Sequence, residues 1–108
     1  MSQFIYMLRP RRLGMLTSGP TPEESVALAA HVEYLEELAG EGVVLLAGRT
    51  QTADEQTFGI VILEAGLESD AQAIMSSDPA ILNGLMTAQL FPYQIAVASP
   101  DIGTKAVQ

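Results

Sequence analysis

The sequence predicts an α+β sandwich of order βαββαβ, in which two helices cover one face of a four-stranded antiparallel sheet. Three observations carry this. Four short apolar runs have the length and the β-branched and aromatic content of strands. Two intervening segments repeat their apolar residues at a helical period. The two kinds of segment alternate so that each helix lies in a crossover between strands, and crossovers of right-handed sense put both helices on the same side of the sheet.

The first run, residues 3–9, is aromatic-rich and stopped by Pro10, which suits a buried strand. Residues 10–20 form a loop rich in Arg, Gly, Pro and Thr, and a connection of that length in a compact domain is often functional. Thr21, Pro22 and Glu24 start a helix: Thr21 as N-cap, Pro22 at the first helical position, and Glu24 placed to close a capping box. The helix runs to about Gly40. At ~100° per residue, Leu28, His31, Val32, Leu35, Leu38 and Ala39 fall on one side, with Glu33, Glu37 and Glu41 on the other, so His31 faces the core.

Residues 43–47 are continuous and apolar and read as a second strand, with Gly48-Arg49-Thr50 at its polar end. Residues 57–64 form a third, paired to the second as a hairpin through a turn at 52–56. A second helix over 68–77 carries Leu67, Ala71, Ile74 and Met75 at helical spacing and ends before Asp78-Pro79, with one more helical turn at 79–84. The last strand, 86–98, alternates Phe91, Tyr93, Ile95 and Val97, and Pro92 within it favours an edge position or a bulge. Residues 1–100 thus form a single domain and 101–108 an irregular C-terminal tail. Val61, Ile62, Leu63 and Val97 supply more apolar surface than two helices can cover, so the uncovered sheet face is expected to be buried in a homodimer.

Composition excludes several classes of function. Thirteen acids against five bases give a net charge of −8, a sign that repels nucleic acid and anionic membrane alike. Hydrophobic residues make up 48% of the chain and charged ones 17%, the balance of a packed domain and not of a disordered one. There is no cysteine, hence no thiolate chemistry. Arg9, Arg11 and Arg12 follow a short apolar run, the reverse of a signal peptide's order, and no run approaches the ~20 residues of a membrane span. The expected compartment is the cytoplasm.

Two residues invite chemistry. His31 is the only histidine, and an imidazole beside a carboxylate forms a proton-transfer pair because the carboxylate fixes its tautomer and supports its cation. A lone histidine on an apolar helix face is also often a neutral, hydrogen-bonded core residue. Asp78, before Pro79, reads equally as the N-cap of the turn that follows, and one carboxylate can serve both a backbone N–H and an imidazole. Arg9 and Arg49 end two strands at the sheet rim, where such residues are usually solvated; near a cavity they would bind a carboxylate or phenolate. Arg11 and Arg12 read as surface residues, and Tyr6, Tyr34 and Tyr93 as core or interface residues. The acidic residues Glu33, Glu36, Glu37 and Glu41 form a solvated face and not a metal site.

Phe4 to Pro10, Leu45 to Thr50, Phe58 to Val61, Asp78-Pro79 with Gly84, and Phe91-Pro92 together resemble the YCII-related (YciI-like) family, over residues 3 to about 98. The resemblance implies a ferredoxin-like domain of the dimeric α/β-barrel type, with a helix histidine and an Asp-Pro aspartate as active centre; these fall on His31 and Asp78. Some relatives resemble muconolactone isomerase, and one branch is similar to dehydrochlorinases of chlorinated hydroxyquinols. Two functions are therefore expected to compete. One is cofactor-free and metal-free proton transfer, an isomerisation or elimination on a small anionic and aromatic-derived or lactone-like metabolite, with His31 moving the proton, Asp78 orienting it and Arg9 or Arg49 holding the anion. The other is a non-catalytic dimeric ligand-binding or interaction module with His31 packed. A cavity where Asp78 meets His31 favours the first, and a filled interior there the second.

Overall fold

The structure is a computed structural model that describes residues 1–100 and residue 102. The expected irregular tail at 101–108 lies, apart from Ile102, outside the described residues. Eight elements follow one another: β1 (Ser2–Pro10), α1 (Gly14–Thr17), α2 (Pro22–Gly40), β2 (Val44–Arg49), β3 (Gly59–Ala65), α3 (Glu68–Ser76), α4 (Pro79–Leu82) and β4 (Met86–Tyr93). The strands form one sheet in the order β2-β3-β1-β4, with every neighbouring pair antiparallel. This is the expected ferredoxin-like arrangement, with α1 and α4 as short additions to the two main helices.

Side-chain alternation along β1 divides the sheet into its two faces. Phe4, Tyr6 and Leu8 are buried, whereas Ile5 and Met7 between them are half-buried. In register with the buried set stand Leu63 and Val61 of β3 and Leu90 and Ala88 of β4, and α2 and α3 close this face with Leu35, Leu38, Ala71 and Met75. Tyr6 therefore stands near the centre of the covered face. The opposite face has no helix and presents Ile5, Met7, Leu46, Ile60 and Phe91.

Local chemistry sets the elements that hold the site. Thr21 and Glu24 form the expected capping box at the start of α2, with Glu24 N–H donating to Thr21 Oγ1 at 3.1 Å and Thr21 N–H to Glu24 Oε1 at 2.8 Å. Arg12 clamps the same carboxylate from the β1–α2 connection, and its guanidinium holds the Glu24 carboxyl down at about 2. That connection is not wholly irregular: it contains α1, whose Met15 is buried against Ala27 and Leu85. Asp78 caps α4. The helix ends in a Schellman turn, with Gly84 at φ +69° and Leu85 N–H bonded to Ala80 O at 3.0 Å, which returns the chain into β4.

Four expectations are corrected. Val32 is exposed: it lies ~100° around the cylinder from His31, outside the seam formed by Ala27, His31, Leu35 and Leu38. Leu67 is the extended residue before α3 and is also exposed. The third strand begins at Gly59 and not at 57, because Thr57 and Phe58 belong to the hairpin connection: Thr57 Oγ1 donates to Thr52 O at 2.9 Å, and Phe58 N–H to Thr50 Oγ1 at 3.1 Å. The last strand stops at Tyr93, not Ala98, since its only neighbour is β1 and Tyr93 pairs with Gln3 at the beginning of that strand. Beyond it Ile95 N–H reaches Gln3 Oε1 at 2.7 Å, and Val97 is exposed, so Val97 adds nothing to the sheet's apolar faces. The edge position inferred from Pro92 holds.

Candidate active site

Asp78 and His31, 47 positions apart, meet between α2 and the start of α4: His31 Nδ1 lies 2.6 Å from Asp78 Oδ1. Asp78 is fully buried, and a carboxylate in such a place needs donors on both oxygens. It has them. Oδ1 also accepts Ala80 N–H at 2.9 Å, which is the helix cap, and Oδ2 accepts the Tyr6 hydroxyl at 2.8 Å. The two roles read for Asp78 are thus both present in one side chain. His31 is 12% exposed at its side chain. Its Nε2 has no protein partner among the described residues, while every buried side-chain nitrogen and oxygen there does have one, so Nε2 reaches the surface.

Tyr6 is the residue that the sequence reading left in the core without a role. The signal was available: strand alternation puts Tyr6 on the covered face, and a buried phenol requires an acceptor. Burial and then the Asp78 charge push its ionisation well above the ordinary value of 10. Tyr34, whose hydroxyl donates to Ile74 O at 2.7 Å, is raised by the same causes in the same order. For Tyr6 the protonated form is the native one, so its contribution to stability is complete below the ordinary value and is lost as pH rises beyond it. The unfolding free energy should therefore fall by about 1.4 kcal/mol per pH unit from this residue above pH ~10. Urea denaturation between pH 9 and 11 tests this, and Tyr6→Phe should flatten the slope.

The two arginines do not join this pair. Arg9 follows Leu8 in β1 and so projects to the helix-free face, where its guanidinium lies 5.7 Å from the centroid of the Phe58 ring and contacts Met7 Sδ. Arg49 is exposed at the end of the edge strand β2 and lines a concavity of about 280 Å³ with Leu46, Gly48, Thr50, Phe58 and Ile60. Neither touches His31 or Asp78. A second concavity, of about 250 Å³, lies beside the N-terminal turn of α2, two turns before His31, with Arg12, Glu24, Asn83 and Gly84 in its walls. His31 and Asp78 line neither concavity, so the expected cavity at the dyad is not one of these two. Among the described residues no three His, Asp or Glu side chains converge as metal ligands do.

A four-stranded antiparallel sheet of order β2-β3-β1-β4 with its main helices on one face defines the class, a ferredoxin-like α+β domain. The sequence matches the YCII-related domain family over residues 8–92, and the chain belongs to that family. Among solved structures, the fold is similar to that of 5-chloro-2-hydroxyhydroquinone dehydrochlorinase (TftG) from Burkholderia phenoliruptrix AC1100, in complex with 2,5-dihydroxybenzoquinone. The identity is 22%, the TM-score is 0.60, and the match covers 84% of this chain and 93% of that one. At that identity the likeness establishes the fold. No curated protein matches the chain. No described helix is long and apolar enough to cross a membrane.

Proposed function

We propose that the protein is a cofactor-independent enzyme that moves a proton on a small anionic, aromatic-derived molecule, as a lyase of the dehydrochlorinase kind or an isomerase. The observation that carries this reading is the 2.6 Å contact of His31 Nδ1 with a fully buried Asp78 carboxylate, while Nε2 stays free at the surface. In an elimination, Nε2 would take the substrate proton, the electron pair left behind would expel chloride, and the imidazolium so formed would be supported by Asp78 until it returned the proton to water. The net loss is HCl, and no oxidant or reductant is required. The similar fold of a dehydrochlorinase with a bound quinone supports this choice of substrate class.

Wild-type protein incubated with 5-chloro-2-hydroxyhydroquinone and related chlorinated hydroxyquinols should release chloride, and the His31→Asn variant should not. Equal release by both would end the catalytic reading. The position of both described concavities away from His31 favours the alternative, a non-catalytic module that binds a small ligand elsewhere on its surface. Its signature would be saturable binding of the same compounds without conversion.

We further propose that a second copy covers the helix-free face, where Ile5, Met7, Leu46, Ile60 and Phe91 form an apolar surface with no helix of this chain against it. Sedimentation equilibrium at micromolar concentration should give twice the chain mass, and Ile60→Asp should shift it to monomer. A wild-type monomer would remove the proposal.

A further inference from the structure

The Asp78 carboxylate meets only donors. Ala80 N–H can only donate, and the Tyr6 hydroxyl has its single proton directed at Oδ2. The remaining neighbour, Nδ1 at 2.6 Å from Oδ1, must then carry a proton to make its contact a hydrogen bond. We infer that Tyr6 is the positioning residue of this site: by holding Oδ2 it fixes the plane of the Asp78 carboxylate, sets His31 in the Nδ1–H tautomer and leaves the Nε2 lone pair facing outward as a base. This inference rests on the reading of His31 as the proton-transfer group and adds the residue that holds its carboxylate partner in place for the first step, proton removal from the bound molecule.

The placement of Tyr6 suits that task. It belongs to an interior strand of the sheet, flanked in register by Val61 and Leu90, and its side chain has no exposed surface. Few other titratable groups face the carboxylate. Toward the core α2 contributes His31 and Tyr34, and the latter is bonded to Ile74 O; Glu33, Glu36 and Glu37 of the same helix are exposed. The core-facing residues of the other packed elements are apolar, with Ala71, Ile74 and Met75 on α3, Ile81 on α4 and Ala88 and Leu90 on β4.

Because His31 is the only histidine of the chain, nitrogen-15 NMR of this chain reads its two ring nitrogens directly and without substrate. In the wild type the neutral ring should show a protonated Nδ1 and an unprotonated Nε2. In Tyr6→Phe the carboxylate loses a donor and stabilises the neighbouring cation more strongly, so the imidazole should hold its charge to a higher pH than in the wild type. Tyr34→Phe removes a half-buried hydroxyl that bonds Ile74 O and not Asp78, and should leave the titration in place. An Nε2–H tautomer in the wild type, or a folded Tyr6→Phe protein with an unchanged titration, would overturn the inference. If Tyr6→Phe does not fold, the wild-type tautomer alone decides. Failure of the catalytic reading has a different signature, turnover that survives the loss of His31.

Discussion

Replacement of His31 by asparagine should lower turnover by ~10²–10⁴-fold, the usual value of a positioned proton-transfer group, and leave a folded protein. The fold should survive because the buried charge keeps two of its three donors: Ala80 N–H still serves Oδ1 and Tyr6 still serves Oδ2. What is lost is one hydrogen bond to a charged group and some packing, a cost of ~1–3 kcal/mol. That is a minor part of the ~5–15 kcal/mol that holds a typical domain. Chloride release or product formation from a chlorinated hydroxyquinol, set beside a urea denaturation curve, separates the two effects. A variant that unfolds with wild-type-like residual turnover would make His31 a packing residue and nothing more.

The sequence carried the parts of this site that depend on local pattern. Thr21, Pro22 and Glu24 announce where α2 begins, and the 3.6-residue period then turns His31 inward; Asp78-Pro79 announces a helix cap by residue type alone. Arg9 was legible too, because an alternation that buries Tyr6 and Leu8 must turn Arg9 the other way, yet its position at a strand end drew attention to the rim in place of the face. Two features were out of reach of local pattern. The Tyr6–Asp78 bond spans 72 positions and depends on how the start of α4 docks against α2 and β4, and the end of β4 at Tyr93 depends on where its partner strand begins. A pair across such a distance becomes visible only after the register and the docking are fixed.

Asp78 should separate structure from chemistry more sharply than any other position. Asp78→Ala leaves the Tyr6 hydroxyl, the Ala80 N–H and His31 Nδ1 without their acceptor in the interior. Each donor stranded in this way costs ~1–3 kcal/mol, and three together are enough to unfold a marginal domain. Asp78→Asn should behave differently. Its amide oxygen can still cap Ala80 and accept from Nδ1, and its NH₂ can donate to the Tyr6 oxygen, so the loss is confined to the Tyr6 proton, which is left without an acceptor at a cost of ~1–3 kcal/mol. An amide carries no charge with which to support an imidazolium, however, and turnover should fall by ~10²–10⁴-fold. The expected result is therefore a large loss of stability in the alanine variant, and in the asparagine variant a loss of activity with a smaller loss of stability. Paired urea titrations and rate measurements read both. Equal stability of Asp78→Ala and wild type would deny the carboxylate its structural place, and full activity of Asp78→Asn would deny it any part in the chemistry.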